Sequence, residues 1–271
     1  MDTTTGVGLA LRNPRVQRLR RLARQPRARR AEGAYVVEGE KLLAAALAAG
    51  APVEAIYTAP GYGGPLRASA SEAGVNVATL APGVLERVSA TVSPQPVVGV
   101  VAIVETDLGI LRDAGGALGG PVVVCVDVRD PGNLGTVLRS AGAAGAVGIV
   151  CCHGTADAYG PKCVRASAGA VFQLPMVSGG APMEVLEELG SWGIRRLGAR
   201  AAGGTAYDAA DLTGPLALVL GNEAHGLAPE VEALLDGVVT IPMAAPVESL
   251  NVGAAAAILC FEAARQRRMP R

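Results

Sequence analysis

Largely apolar segments alternate with stretches of helical spacing along the second half of the chain. The segments predicted as strands are flanked by glycine or proline and cover residues 122–127, 147–151, 194–199, 216–220 and 238–241. Short apolar runs bounded by turn residues are typical of buried parallel strands. Helices are predicted over residues 134–144, 161–167, 182–189, 229–235 and 250–268. This alternation predicts an α/β domain over residues 121–271, with a parallel sheet and helices on both faces.

The first hundred residues also alternate between predicted strands and helices, in shorter elements. Strands are predicted at 35–37, 53–58, 75–80 and 97–104, and helices at 13–24, 39–49, 65–73 and 82–88. The first helix has to end before Pro26, which cannot continue it. We therefore expect a small α/β domain over residues 1–105. The glycine-rich stretch 106–120 reads as a flexible linker.

Polar residues follow three of the predicted strands in the second domain. They are Asn133 and Arg139, then Asn222 and Glu223, then Ser249 and Asn251. Polar groups at the carboxyl ends of parallel strands build ligand sites in α/β proteins. Each of these residues also has a purely structural interpretation, without a ligand. Asn133, and one of Ser249 and Asn251, would suit helix caps, while Arg139 and Glu223 would suit exposed surface positions.

Three segments at these strand ends resemble the signature motifs of the SpoU-TrmH ribose 2′-O-methyltransferases, a family of the SPOUT superfamily. The motifs are Asn133-Leu-Gly-Thr-Val-Leu-Arg139-Ser140, Leu220-Gly-Asn-Glu223-Ala-His-Gly226-Leu227 and Ile241-Pro-Met-Ala-Ala-Pro-Val-Glu-Ser249-Leu-Asn251-Val. The stretch Tyr159-Gly-Pro-Lys-Cys-Val-Arg165-Ala-Ser167-Ala-Gly169 is also similar to a family segment. The resemblance covers residues 121–265 closely and the first hundred residues in general layout.

The resemblance implies properties that residue patterns alone do not give. Family members thread the carboxyl-terminal part of the chain into a deep trefoil knot, bind S-adenosylmethionine there and work as homodimers. Their amino-terminal region often holds a ribosomal-protein-like RNA-binding module, which fits the layout of residues 1–105. The implied activity is S-adenosylmethionine-dependent methylation of a ribose 2′-hydroxyl in structured RNA.

By the same resemblance, Asn133, Arg139, Glu223, Ser249 and Asn251 form a catalytic group. The family arginine lies at the target ribose and is proposed to help deprotonate it. A guanidinium stays protonated in nearly all settings, so we expect Arg139 to act electrostatically. The donor is expected to contact Ala199, Arg200, Ala201, Leu220, Gly221, Asn222, Glu223, Gly226, Ile241, Met243, Ser249, Leu250 and Asn251.

Basic residues are concentrated near the amino terminus although the net charge is zero. Residues 11–30 hold nine arginines and no acid. Such a run is either a solvated face or disordered arm, or a phosphate-binding surface, and the implied RNA substrate favours the last. The expected RNA contacts are Arg12, Arg15, Arg18, Arg21, Arg24, Arg27, Arg29, Arg30, Lys162 and Arg165.

Aromatic residues make up only 3% of the chain, which favours recognition of RNA shape and phosphates over base stacking. The family resemblance implies structured 23S ribosomal RNA as the preferred substrate, with a tRNA as the alternative. A non-catalytic RNA-binding protein that retains the fold is a third possibility, which the intact motifs disfavour. A dinucleotide-dependent enzyme would need a Gly-x-Gly-x-x-Gly turn, and Asn133-Leu-Gly135 lacks that spacing.

The remaining composition points to an ordinary cytoplasmic protein. The five cysteines are an odd number without paired metal-type spacing, so we expect core positions, no disulfide framework and no metal. His153 and His225 are expected to be loop residues. No apolar run spans a bilayer and no signal peptide is visible, so we expect no membrane partner.

Overall fold

The computed structural model describes residues 8–89, 91, 93–112, 119–244 and 248–269. The chain divides into two compact units. The first contains Met1–Val104 and Tyr159–Arg165, and the second contains Glu105–Ala158 and Ala166–Arg271. Residues 113–118 of the predicted linker and residues 245–247 of the third motif lie outside the described residues.

The first unit is built on a four-stranded sheet. Its elements are α1 (Pro14–Arg24), α2 (Pro26–Glu32), β1 (Ala34–Glu38), α3 (Glu40–Ala48), β2 (Val53–Thr58), α4 (Leu66–Glu72), β3 (Asn76–Thr79), α5 (Leu85–Val88) and β4 (Val97–Ala102). The strand order is β1-β4-β2-β3. Strand β4 is antiparallel to β1 and β2, whereas β2 and β3 are parallel.

The arginine-rich segment forms two packed helices. Asn13 caps α1 by accepting a hydrogen bond from the amide of Arg15 at 2.9 Å. Val16, Leu19 and Leu22 recur at helical spacing and are fully buried in the core of the first unit. The chain then restarts as α2 at Pro26, because a proline is tolerated at the first position of a helix. We did not predict this second helix.

The second unit is built on a seven-stranded sheet. Its elements are β5 (Val122–Cys125), α6 (Pro131–Ala143), β6 (Gly148–Cys151), β7 (Met176–Ser178), α8 (Pro182–Ser191), β8 (Arg195–Arg200), β9 (Thr205–Ala206), β10 (Leu216–Leu220), α9 (Pro229–Glu232), β11 (Gly237–Thr240) and α10 (Val252–Arg268). A further helix, α7 (Pro161–Ala166), lies in the segment that belongs mostly to the first unit.

All strand pairs of this sheet are parallel, in the order β7-β6-β5-β10-β8-β11-β9. The α/β fold with a parallel sheet is therefore confirmed. Strands β5, β6 and β10 are buried along their whole length, as expected for central strands covered on both faces. The trefoil knot stays a prediction, because strand order and pairing do not specify how the chain is threaded.

Two parts of the domain boundary differ from the expectation. Residues of the predicted linker form a 3₁₀ turn at Leu108–Leu111, and the fully buried Leu111 belongs to the core of the second unit. The second unit thus begins before residue 121. In addition, Tyr159–Arg165 belongs to the first unit. There Tyr159 packs against Tyr35 with ring centroids 4.8 Å apart and ring planes tilted by 46°. None of the described helices has the length and apolarity needed to cross a bilayer.

Candidate active site

Three loops meet at the carboxyl edge of the parallel sheet. They follow β5, β10 and β11, and the first and third lead into α6 and α10. Parallel neighbours end on the same edge, so polar residues far apart in sequence come together there. The first motif lies in α6, directly after the first of these loops, and the described residues of the second and third motifs lie in the loops after β10 and β11.

Asp130 is the residue that begins α6. Its Oδ1 accepts hydrogen bonds from the amides of Gly132 at 2.7 Å and Asn133 at 2.9 Å, and Pro131 occupies the first helical position. Capping by Asn133, the ordinary alternative for that residue, is therefore wrong. Asn133 lies inside the first turn, and its side chain is free to contact the neighbouring loops.

Glu223 joins the first and second loops. Its carboxylate accepts hydrogen bonds from Asn133 Nδ2 at 3.0 Å and from the amides of Asp130 and Arg129, both at 3.1 Å. Partial burial raises the pKa of this carboxyl, but the side-chain and backbone hydrogen bonds together outweigh that effect and the pKa is lowered. Glu223 is therefore ionised at neutral pH and fixes the entry into α6.

Asn251 joins the third loop to the same group. Its Nδ2 donates to Asn133 Oδ1 at 2.7 Å, and its Oδ1 accepts from the amide of Gly253 at 2.8 Å. Asn251 is thus the N-cap of α10. Of the two residues that could have capped this helix, Asn251 does so. One chain of side chains, Glu223–Asn133–Asn251, now connects all three loops.

The turn that presents Glu223 is held by Asn222. Its Nδ2 donates to the Asp127 carbonyl at 2.9 Å and to Asp127 Oδ2 at 3.1 Å. Its Oδ1 accepts from the amides of Ala224 and His225. Asn222 and Gly226 also exchange two backbone hydrogen bonds, and Gly226 has a φ of +68°, which suits glycine. His225 is exposed and contributes only its backbone to these contacts.

A cavity of about 360 Å³ lies against this edge. All thirteen residues expected to contact the donor line it, and Asn133 lines it as well. Sequence reasoning missed five further lining residues, Ala224, Val239, Val252, Ala255 and Leu259. Val252, Ala255 and Leu259 follow helical spacing along α10. That spacing was a usable signal that this face of α10 turns toward the site.

The walls of the cavity suit a purine nucleoside. Val239, Ile241 and Leu259 supply an apolar surface, and the volume falls in the range of about 300–1,000 Å³ typical of small-molecule sites. Within the described residues, the backbone amides of Ile241, Met243 and Leu250 form no hydrogen bond. They are therefore available to a ligand.

Close backbone approach fixes one side of the cavity. A Cβ at Gly221 would lie 2.5 Å from the carbonyl carbon of Gly226 and 2.8 Å from the amide nitrogen of Leu227. Only glycine fits there without moving backbone.

Arg139 lies outside the cavity lining, unlike the four other residues of the expected catalytic group. It is exposed on α6, two turns after the helix begins. No described residue forms a hydrogen bond or ion pair with its guanidinium. The side chain is free to meet a partner that approaches from solvent.

The expected RNA-contacting arginines fall into distinct groups. Arg12, Arg15, Arg27 and Arg30 are exposed and have no side-chain partner among the described residues. Arg18 forms ion pairs with Glu32 and Glu54, Arg21 pairs with Glu32, and Arg24 donates to the Arg87 carbonyl.

Arg29 needs a correction. It is only 4% exposed, and its Nη1 donates to the Leu22 carbonyl at 2.7 Å, tying α2 to α1. A guanidinium buried in this way cannot reach a phosphate, so Arg29 is removed from the expected RNA contacts. Lys162 and Arg165 are both exposed on the helix Pro161–Ala166.

The cysteines are all buried and unbridged. Burial raises the pKa of the Cys151, Cys152 and Cys260 thiols to about 12, so they are poor nucleophiles at neutral pH. His153 accepts a hydrogen bond from the amide of Gly180 through Nε2 at 3.3 Å. Among the described residues, no cluster of histidine, cysteine and acidic side chains is arranged to hold a metal.

Two family models match the chain. The SpoU rRNA Methylase family matches residues 120–261, and the MRM3-like substrate binding domain matches residues 13–99. An uncharacterized tRNA/rRNA methyltransferase of Mycobacterium tuberculosis is 34% identical over 269 residues, covering 96% of this chain and 82% of that protein. The Bacillus subtilis 23S rRNA (guanosine(2553)-2′-O)-methyltransferase RlmP is 32% identical over 228 residues, covering 84% of this chain and 87% of RlmP.

Solved structures resemble the whole chain. The SpoU methyltransferase AviRb of Streptomyces viridochromogenes, in complex with AdoMet, superposes with a TM-score of 0.85 at 31% identity, covering 96% of this chain and 100% of AviRb. The AdoMet-bound rRNA methyltransferase of Sinorhizobium meliloti superposes with a TM-score of 0.81 at 30% identity, covering 96% and 97% of the two chains.

Proposed function

The chain belongs to the SpoU rRNA methylase family, and we propose that its cavity is the site where a methyl group passes from S-adenosylmethionine to a ribose 2′-hydroxyl of 23S ribosomal RNA. The protein is an S-adenosylmethionine-dependent RNA methyltransferase. One observation carries the assignment to this site. The hydrogen-bonded chain Glu223–Asn133–Asn251 borders a cavity lined by residues of the second and third motifs.

The cavity fits the adenosyl part of the donor. The backbone amides of Ile241, Met243 and Leu250, which donate to no described residue, supply hydrogen-bond donors at the end of β11 and before α10. Val239 and Leu259 would offer apolar surface to the adenine ring, and Gly221 would let the ligand approach the backbone closely. S-adenosylmethionine brings an already activated methyl group, so the protein's task is alignment, which can contribute roughly 7–11 kcal/mol.

Glu223 and Asn133 act as positioning residues in this proposal. Three donors already engage the Glu223 carboxylate, so it is poorly placed to accept the proton of the ribose hydroxyl. It holds the start of α6 and the turn after β10 in register instead. Asn133 in turn accepts a hydrogen bond from Asn251, which fixes the start of α10 relative to α6.

Arg139 acts on the RNA. Its guanidinium is exposed and outside the cavity, where it can reach a bound nucleotide and not the adenosyl group. It grips the phosphate beside the target ribose and stabilises the developing alkoxide. A guanidinium stays protonated near neutral pH, so it serves as a fixed positive charge.

The first unit binds RNA by its phosphates. Arg12, Arg15, Arg27 and Arg30 present exposed guanidinium groups that pair with no described side chain. Its aromatic side chains are few: Tyr35 and Tyr57 are buried, the Tyr62 hydroxyl donates to Glu40, and Tyr159 packs against Tyr35. Among the described residues of the unit no aromatic side chain is fully exposed, which favours a structured RNA segment over a single-stranded one.

The protein works as a homodimer in this proposal. Helix α10 packs against α6 on one side, while Phe261 on its other side is 48% exposed among small residues such as Ala254. Such a smooth apolar face suits close packing against a second copy. Sedimentation at micromolar concentration tests this, and a monomeric mass would contradict it. The cytoplasmic location follows from the ribosomal substrate.

Titration with S-adenosylmethionine by calorimetry, followed by mapping of 2′-O-methyl groups, tests the function. We expect one donor per subunit, and loss of binding in a Ser249→Ala/Asn251→Ala double variant. Incubation with labelled donor should then mark 23S ribosomal RNA and leave tRNA unlabelled. Labelling of tRNA alone would identify the alternative substrate. Donor binding without transfer to any RNA would point to a non-catalytic RNA-binding protein.

A further inference from the structure

Arg129 contacts the hydrogen-bonded chain Glu223–Asn133–Asn251 but lies outside the three sequence motifs. It lies in the loop between β5 and α6, and its backbone amide donates to Glu223 Oε2 at 3.1 Å. Its side chain is 73% exposed. The main chain of Arg129 is thus fixed by the site while its guanidinium extends into solvent.

The guanidinium is held in one orientation. Arg129 Nε donates to Asp127 Oδ1 at 2.9 Å, and the other Asp127 oxygen accepts from Asn222 Nδ2 at 3.1 Å. Asp127 has a φ of +55°, a conformation uncommon outside glycine that is often found at functional sites. The hydrogen bond that Arg129 donates to the Asp127 carboxylate also raises the pKa of Arg129.

This arrangement leaves one fork of the guanidinium unused. Only Nε is engaged, and no described residue bonds Arg129 Nη1 or Nη2. Parallel N–H groups on a pre-oriented arginine match a pair of phosphate oxygens. An arginine held by a carboxylate in this way loses less rotamer freedom when it binds.

We propose that Arg129 is a substrate-positioning residue that binds a backbone phosphate of the RNA next to the methylated nucleotide. The inference rests on the proposed function and adds a second phosphate contact to the one assigned to Arg139. Residues 131 and 139 of α6 are separated by about 12 Å along the helix axis. The two arginines therefore contact different phosphates, and together they set the direction of the strand across the site.

A competing interpretation is that Arg129 only supports Asp127, and through it the turn at Asn222. The two interpretations predict that removing the Arg129 side chain changes different measured properties. A phosphate contact affects RNA binding and its salt dependence. A supporting role affects the shape of the cavity, and with it donor affinity and thermal stability.

Four single variants separate these interpretations. Arg129→Met removes the charge, Arg129→Lys keeps the charge without the fork, and Asp127→Asn weakens the support. Arg195→Met is the matched control, because Arg195 also pairs with an aspartate, Asp211, but lies at the opposite edge of the sheet. RNA affinity at several salt concentrations, S-adenosylmethionine affinity and melting temperature are measured for each.

We expect Arg129→Met to weaken binding of 23S ribosomal RNA by about ten- to a hundredfold. The slope of log K against log salt should fall by about 1, with donor affinity and melting temperature unchanged. Arg129→Lys should restore the slope and only part of the affinity. Arg195→Met should keep the RNA affinity and salt slope of the unmodified protein, with a lower melting temperature because Arg195 also donates to the Asp211 and Thr213 carbonyls.

Two results would overturn the inference. One is an Arg129→Met variant whose RNA affinity and salt slope equal those of Arg195→Met. The other is an Arg129→Met variant that loses donor affinity and stability in parallel with Asp127→Asn. Failure of the proposed function gives a different result, because the unmodified protein then transfers no methyl group. The Arg129 contact is still decided by the same RNA affinities.

Discussion

The side-chain amide of Asn133 donates through Nδ2 to the Glu223 carboxylate at 3.0 Å and accepts through Oδ1 from Asn251 Nδ2 at 2.7 Å. These two contacts fix which end of the amide is oxygen and which is nitrogen. They also link residues that lie 90 and 118 positions away in sequence. The geometry of the site therefore depends on the complete set of loops, and each member can be tested by removing one donor or acceptor at a time.

Glu223→Gln should reduce methyl transfer strongly with little change in shape. All three partners of the carboxylate are donors, so the new amide nitrogen would face another N–H group. Leaving such a group unpaired lowers the rate by roughly ten- to a hundredfold. Steady-state transfer to ribosomal RNA measures the loss. Unchanged turnover would mean that Glu223 does not position the site.

The same variant should change how stability depends on pH. The folded pKa of Glu223 is lowered from 4.5, so the stability it contributes is fully present above that pH. This contribution is lost as pH falls through the folded pKa. The melting-temperature difference between the unmodified protein and Glu223→Gln should thus shrink below about pH 4.5. A difference that stays constant with pH would contradict the assignment.

Asn251 has two roles that different substitutions separate. Asn251→Asp keeps an oxygen to cap α10 but loses the donor to Asn133, so activity should fall while stability stays near normal. Asn251→Ala removes both contacts and should also destabilise the protein by about 0.5–2 kcal/mol. Thermal denaturation and methyl transfer together distinguish them. Equal stability of the two variants would show that the cap contributes nothing.

Much of this architecture could be predicted from the sequence because the central strands are continuous apolar runs bounded by turn residues. The segment Leu216–Leu220 is apolar and fully buried, and its predicted and observed bounds coincide. The edge strands β7 and β9 were missed. With only three and two residues, they carry too little pattern to be told from a loop. Their pairing comes from neighbours that the local sequence does not describe.

The residues expected to contact the donor line one cavity where motif and strand end coincide, whereas the sequence does not indicate the contacts that depend on packing. Asn133 and Asp130 are both good capping residues, and only the position of Pro131 at the start of α6 gives the cap to Asp130. Arg29 resembles the other arginines in sequence. It is buried because α2 restarts at Pro26 and turns that side chain toward α1. Tertiary contacts of this kind leave no local signature.

Gly221→Ala should abolish donor binding. The added methyl group would lie 2.5 Å from the backbone of Gly226, so the turn that presents Glu223 would have to move. Calorimetric titration with S-adenosylmethionine measures the effect. Gly63→Ala is the control, because a Cβ there meets no atom within 4 Å. Normal donor affinity in Gly221→Ala would place the donor elsewhere.

Arg139→Ala should abolish methyl transfer and leave donor affinity intact. Arg139 is exposed and does not line the cavity, so its removal should change stability by no more than about 0.5 kcal/mol. Arg139→Lys keeps the charge without the paired N–H groups and should recover only part of the rate. Near-normal turnover in Arg139→Ala would refute its role at the ribose.

Arg29 and Arg27 give a matched test of how the basic segment is divided. Arg29→Met leaves the Leu22 carbonyl unpaired inside the first unit, which should cost about 1–3 kcal/mol of unfolding free energy. Binding of ribosomal RNA by the folded variant should be unchanged. Arg27→Met removes an exposed guanidinium that pairs with no described residue, so stability should hold while the salt slope of RNA binding falls by about 1. Chemical denaturation and salt-dependent RNA titration measure the two effects. If Arg29→Met weakened RNA binding at full stability, or Arg27→Met left the slope unchanged, the division into structural and phosphate-binding arginines would be wrong.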